Sequence, residues 1–322
     1  MSNSEDDDSL GSVVSAVGLP DITGIPLPAP VKRSLWRALG RLITGAVEVP
    51  VAYFETQAGK IRAHGKGTEA VTLAAAAAAA QRFGSDPTLA DRAVNHFGAK
   101  IVREQLNREA VARATVEAIA LSPPATEPEG EVDEDWLTEF TEIAAKKSNE
   151  EIRAILGRIL AGEISKPGTF SPATLQLLTT LSKSTARKFQ LLSGMSVADA
   201  QGFTYVVTAP FPDFAQKGLE GLGISYSDVL TLQSAGLLTP ALTSQLDLNR
   251  YINTVRADYV GQPFVLRISD ASKNITSTQI TVFSPIGHEL RSVIPLERND
   301  AYDAKLQTWL ASQSVSIEVA KA

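Results

Sequence analysis

Apolar residues recur every three or four positions through most of this chain, the spacing of helices that bury one face. Leu35, Trp36, Leu39, Leu42, Ile43 and Val47 predict a helix within 31–54, which Pro50 kinks or ends. Seven consecutive alanines, Ala74–Ala80, combine the highest helix propensity with side chains small enough for close helix approach. Gly84-Ser85-Asp86-Pro87 interrupts the pattern, with Asp86 suited to an N-cap and Pro87 to the first helical position. Val94, Phe97, Ile101, Leu106, Val111 and Ile119 then predict a helix over about 87–120. The two stretches read as a helical hairpin or a long stalk through which the chain oligomerises. No heptad is regular enough to set the number of copies.

A second helical region follows Ser122–Asp133, a linker by its proline, acid and glycine content. Trp136, Phe140 and Ile143 share one helix face, and Ser148 with Glu151 has the spacing of a capping box. Ile152, Ile155, Leu156, Ile159, Leu160 and Ile164 continue as a stripe that Lys166-Pro167-Gly168 stops. Ser171-Pro172 opens a helix with Leu175, Leu178 and Leu181 inward, and another runs from about Ser184 to Met195 through Phe189 and Leu192. A compact bundle of three or four helices is expected here.

After residue 203 the pattern changes. Ser225 and Asp228 cap a helix that ends at Gly236. Phe264, Leu266 and Ile268 alternate as in a strand, and Gln279–Phe283 gives a second. Ser284-Pro285 restarts a helix with Leu290, Val293 and Ile294, and a last helix covers about Asp300–Ser312 with Tyr302, Leu306, Trp309 and Leu310 inward. Helix, strand, loop, strand, helix is a winged-helix-like order. The fold class is therefore mainly α: an N-terminal helical region, a central helical bundle and a C-terminal winged-helix-like α+β module. The divisions are a disordered acidic tail at 1–30, the helical region at 31–121, the linker at 122–133, the bundle at 134–200 and the α+β module at 201–322.

Composition narrows the function more than it names it. Hydrophobic residues make up 44% and charged residues 20%, enough for a sizeable core. The absence of cysteine excludes disulfides, thiolate nucleophiles, Fe–S clusters and Cys-based zinc sites, and suits a reducing cytoplasm. The acidic start, Ser4-Glu5-Asp6-Asp7-Asp8, is the opposite of a secretory signal. The longest uncharged run, Val229–Leu246, has 18 residues but includes Gln, Ser, Thr and Pro, so no membrane-spanning helix is expected.

The net charge of −6 is unevenly placed. Residues 31–115 carry 13 Lys/Arg against 7 Asp/Glu, while residues 121–151 carry 10 acids against 2 lysines. Charge balance within the molecule explains this. A surface for nucleic acid or anionic lipid explains it too, with Lys32, Arg33, Arg37 and Arg41 as the candidate basic surface. The same segment, 31–54, with Trp36 on it, is the candidate for peripheral membrane contact.

Recognisable catalytic patterns are missing. His64, His96 and His288 stand far apart, and His288-Glu289 lacks the second histidine of a zinc-binding helix. Gly59 to Lys66 has five residues between its glycines and no Ser/Thr after the lysine, so it is not a phosphate-binding loop. Gly218, Gly221 and Gly223 do not fall in a dinucleotide-binding order. The acids of 127–142 suit a helix start without a metal. The inter-strand loop offers only Arg267 and Lys273, and the helix at 226–235 carries Asp228 and no base, so a protein-contact module is read there before a DNA reader. No cofactor, metal ligand set or catalytic group is expected.

Two stretches carry a resemblance. Asp135-Trp136-Leu137, Phe140, Ser148, Glu150-Glu151 and the run Ile159-Leu160-Ala161-Gly162-Glu163-Ile164-x-Lys166-Pro167-Gly168-x-Phe170-Ser171 resemble a bacterial family of unknown function with a "LAGEI-KPG-FS" motif. Ser227-Asp228, Ala235-Gly236-Leu237-Leu238 and Ser284-Pro285-Ile286-Gly287-x-Glu289-Leu290 extend it, so that it covers about 135–310. The layout is more distantly similar to the Abi-alpha abortive-infection proteins. The resemblance implies a bacterial accessory protein linked to phage defence and brings no catalytic residues. Read physically, Trp136, Phe140, Gly162, Glu163, Lys166, Pro167, Gly168 and Phe170 are structural or interaction residues. The functional expectation is a non-enzymatic protein that forms homo-oligomers and contacts an unidentified protein partner. The alternatives are a DNA-binding transcriptional regulator and a membrane-active effector.

Overall fold

A computed structural model describes residues 26–44, 87–124, 128, 130–199, 203–241, 243–247, 257–260, 262–268 and 277–319. The first 25 residues of the expected acidic tail, the Pro50 kink, His64, the Gly59–Lys66 stretch, the alanine tract, the Asp86 cap and Lys273 lie outside the described residues. The chain is mainly helical with an antiparallel sheet. It forms two compact units divided between Phe170 and Ser171.

The first unit contains α1 (Ala29–Thr44), α2 (Pro87–Leu121), α3 (Glu134–Lys146) and α4 (Glu150–Ser165). Asp133 caps α3 by accepting from the Trp136 N–H, and acids in its first turn favour the helix dipole. Asn149 caps α4 through the Ile152 N–H. The expected box on Ser148 is thus displaced by one residue: the helix starts at Glu150, and the asparagine carbonyl takes the Ile152 N–H in place of the Glu151 N–H that a Ser148 cap would accept. Val31, Leu35, Leu39 and Leu42 of α1 are buried with Val111, Ala112, Val116 and Ile119 of α2, Leu137 and Phe140 of α3 and Leu156, Ile159 and Leu160 of α4.

The helices after the linker were expected to form one bundle at 134–200. Instead α3 and α4 pack on α1 and α2, and the unit boundary falls well beyond 122–133. Gly157 shows why α4 belongs with α2. A Cβ there would stand 2.5 Å from the Ala114 Cβ and 2.7 Å from the Ala114 backbone carbon, so the two helices meet backbone to backbone.

The second unit opens with α5 (Pro172–Thr180) and α6 (Lys183–Ser193), capped by Ser171 and Ser182. β1 (Val197–Asp199) and β2 (Thr204–Val207) follow, then α7 (Phe214–Lys217) and α8 (Tyr226–Ser234). Ser225 and Asp228 make the expected capping box on α8. The remaining elements are β3 (Ser244–Leu246), β4 (Ala257–Tyr259), β5 (Gln262–Ile268), β6 (Thr278–Val282), α9 (Pro285–Arg291), α10 (Asp300–Ser312) and β7 (Val315–Val319).

Among the described residues, seven strands form one sheet in the order β3-β6-β2-β1-β4-β5-β7. Every pairing is antiparallel, with registers such as Val206 opposite Thr281 and Leu266 opposite Ile317. This order corrects the winged-helix expectation. A wing needs its two strands hydrogen-bonded to each other, whereas β5 and β6 are separated by β4, β1 and β2. All four residues of β2 are buried, which places it at the heart of the unit. Tyr302 of α10, fully buried, donates its hydroxyl to the Val207 carbonyl at 2.9 Å and stacks on Phe211. Burial holds its phenol above the ordinary tyrosine range.

Candidate functional site

Seven of the eight motif residues singled out in the sequence come together at the end of α4. Gly162 and Glu163 occupy its last turn, and the chain then reverses through Lys166, Pro167 and Gly168. Gly168 has φ +81°, a left-handed conformation that a residue with a side chain enters only at a cost. The reversal is held from inside by the Glu163 carboxylate, only 2% exposed. It accepts the Gly168 N–H at 2.6 Å and the Phe170 N–H at 3.0 Å. Phe170 in turn sets its ring where a Cβ on Gly162 would stand, 2.8 Å away. The Phe170 carbonyl accepts the Trp136 indole N–H at 2.8 Å, and Trp136 stacks on Phe140 with centroids 5.2 Å apart. The eighth residue, Lys166, has an exposed side chain; its backbone N–H closes α4 on the Gly162 carbonyl.

The second matching stretch ends in a similar clasp. Glu289 of α9 accepts three donors on one carboxylate oxygen: the Ser171 N–H at 2.8 Å, the Ser171 hydroxyl at 3.1 Å and the Thr174 hydroxyl at 2.5 Å. It therefore caps α5 from outside that helix. On the same helix, Arg291 is buried and donates to the Ser196 hydroxyl at 2.6 Å and to Asp258 at 2.9 Å. Its neighbour His288 shares a 2.6 Å hydrogen bond between Nδ1 and the Thr204 hydroxyl. Sequence reasoning missed Glu289, Arg291 and Asp258 as partners. Arg291 had one available signal, a cation at the end of a short apolar helix.

Burial and the nearby Arg291 cation hold the His288 pKa below the usual histidine value, against the pull of Asp199, Glu289 and Asp258. The folded protein thus binds fewer protons at His288 than the unfolded chain once pH falls below about 6.5. Stability present above that pH is lost as the solution is acidified. Urea unfolding of the full chain should show a midpoint that drops between pH 7.5 and pH 5.5. His288→Gln should flatten that drop, and an equal drop in both proteins would refute the assignment.

A third polar group joins Tyr259, Asp303 and Arg298. The Tyr259 hydroxyl donates to Asp303, and Arg298 donates to the other carboxylate oxygen at 2.5 and 3.0 Å. Burial and then the Asp303 carboxylate push the Tyr259 phenol well above its ordinary range. Among the described residues, no group of three His, Asp or Glu is placed to hold a metal ion.

The candidate basic surface is largely spoken for. Arg37 pairs with Glu131 at 2.7 Å and Glu134 at 3.3 Å. Arg41 is buried, and donates to Glu134 and the Thr138 hydroxyl. Lys32 is half-buried and Arg33 is exposed. Two of the four candidate basic residues, Arg37 and Arg41, are thus paired with acids at the end of the linker and the start of α3. The apolar face of α1 that a membrane would receive is turned into the core. Among the described residues, no helix is long and apolar enough to cross a membrane.

In both stretches the carboxylates serve as acceptors for backbone and hydroxyl donors. Residues 91–307 match the model of a family described as Protein of unknown function (DUF2806), and the chain belongs to that family. No curated protein matches the chain. No solved structure matches it either.

Proposed function

We propose that this chain is a non-enzymatic interaction protein that self-associates through its N-terminal helices and acts as an abortive-infection component in bacterial phage defence. One observation carries the reading. The N-terminal half of α2 extends past the core of the first unit with Phe97, Ile101, Val102 and Leu106 each 57–59% exposed. Apolar rows of this kind on one helix mark a surface made for another protein element. The carboxylates fixed within Glu163 and Glu289 clasps add support, because a carboxylate saturated by donors is poorly placed for proton transfer. The defence role leans on the resemblance to Abi-alpha proteins.

Light scattering after size exclusion tests the assembly. The native chain should run above its 34.3 kDa monomer mass, and Val102→Asp with Leu106→Asp should return it to monomer with unchanged circular dichroism. A native chain that stays monomeric at high concentration sinks the reading. For the defence role, bacteria expressing the native chain should give fewer plaques than bacteria expressing the double variant. Equal plaque counts would remove it.

A further inference from the structure

The two apolar pairs on the exposed half of α2 lie on different sides of the helix. Phe97 and Ile101 stand 18 residues before buried Thr115 and Ile119, which is five turns at 3.6 residues per turn, so they prolong the face that meets the core. Val102 does not. It stands nine residues before buried Val111, about two and a half turns, which puts it on the opposite side of α2. It stands 12 residues before Ala114, where α4 crosses, about three and a third turns, so α4 occupies a different sector as well. Val102 and Leu106 are each 59% exposed. They are the apolar pair with no place on the core face of the protomer, and they mark a surface for another molecule.

Around Val102 the helix is complementary to itself reversed. Asn95 and Glu109 stand seven residues to either side, Gly98 and Leu106 four, and Ala99 and Gln105 three. Spacings of three, four and seven keep these residues on one stripe. If two such helices run antiparallel about a two-fold axis at Val102, each residue meets the one equally far on the other side. Leu106 then meets Gly98, where a Cβ would have nothing within 4 Å. Gln105 meets Ala99, and Val102 meets its own copy. Asn95 offers an amide donor to the Glu109 carboxylate. Large faces small at each step, and the polar pair at the ends fixes the register. Parallel helices would instead leave a gap where two glycines meet and set the two Glu109 carboxylates together at like charge.

We propose that the occupant of this stripe is a second copy of the chain: two α2 helices pair antiparallel about Val102, with Leu106 of each seated over Gly98 of the other. The inference deepens the self-association reading, on which it rests, by naming the surface, the register and the symmetry. A two-fold contact uses the same patch on both copies and closes on itself, so the assembly is a dimer.

Gly98→Leu in the full chain is the first test. In a lone protomer the new side chain enters open space and raises helix propensity, so the fold survives and circular dichroism stays native. In the pair it strikes Leu106 of the partner. Light scattering should find the native chain at twice its 34.3 kDa mass, and Gly98→Leu should raise the dissociation constant by about tenfold or more through overpacking. Adding Leu106→Ala to Gly98→Leu should restore the dimer, because large again faces small. Undirected apolar adhesion predicts the contrary, stronger association of Gly98→Leu. Register is read with single cysteines, which the chain otherwise lacks. Tagged Asn95→Cys mixed with untagged Glu109→Cys should be joined by a short bis-maleimide. Neither should link to itself, since like positions lie 14 residues apart across the axis, about 21 Å. Self-links in each variant would mean parallel helices and overturn the proposal. Unchanged association of Gly98→Leu, no recovery in the double variant, or no link in a dimeric mixture would overturn it as well. Each of these results, with the native chain still associating, leaves the broader self-association reading standing. A native chain that stays monomeric at high concentration sinks both.

Discussion

Gly157→Leu should unfold or severely destabilise the first unit. The glycine sits at the crossing of α4 over α2, where even a methyl group would stand 2.5 Å from the Ala114 Cβ, 2.7 Å from the Ala114 carbonyl carbon and 2.9 Å from the Thr115 nitrogen. Two of those three atoms are backbone, which cannot rotate aside. The helices must separate, and Leu156, Ile159 and Leu160 on either side of the contact lose packing with them. Gly157→Ala should cost about 1–3 kcal/mol from overpacking, and Gly157→Leu more than that. Gly98→Ala is the opposing control. It lies in α2 with open space around it, so it should stabilise by up to about 1 kcal/mol through helix propensity alone. Urea midpoints of the three full-length variants settle the matter. A Gly157→Leu protein as stable as the native one would mean that the helices do not meet there.

Glu163→Ala should be the next most damaging change. It removes the acceptor for two backbone N–H groups in the Gly168–Phe170 reversal and leaves a buried donor at Phe170 without a partner. Each unsatisfied donor costs about 1–3 kcal/mol, so a loss of roughly 2–4 kcal/mol is expected. Glu163→Gln keeps one carbonyl oxygen and should lose less. The damage should be visible beyond stability. Phe170 also accepts the Trp136 indole N–H, so near-ultraviolet dichroism from Trp136 should weaken in the alanine variant before global unfolding begins. A native-like spectrum and midpoint would show that Glu163 is dispensable for the turn.

How far the sequence revealed all this depended on range. Helices with their own caps were legible: Ser171, Ser225 and Ser284 stand as helix N-caps where expected, and the long helix from Pro87 runs nearly to the expected end. These signals act within four residues. The sheet was mostly hidden. β1, β3 and β4 have three residues each, too few to show alternation, and β2 is buried on both faces. Strand partners lie far apart in the chain, so helix–strand–strand–helix order suggested a wing that the pairing does not make. The candidate site followed the same rule. Trp136, Phe140, Gly162 and Phe170 could be read as packing residues from their types. The jobs of Glu163, Glu289 and Arg291 depend on partners that local spacing cannot disclose.

The pairing of β5 with β7 has a consequence for synthesis. Residues 262–268 meet residues 315–319, the last described strand. While the chain is still emerging, the outer edge of β5 has no neighbour, and its free amide and carbonyl groups offer a template to other nascent chains. Assembly of that edge waits until residues 315–319 have left the ribosome. A product that stops just before Val315 would keep every helix among the described residues and still carry an open, adhesive border.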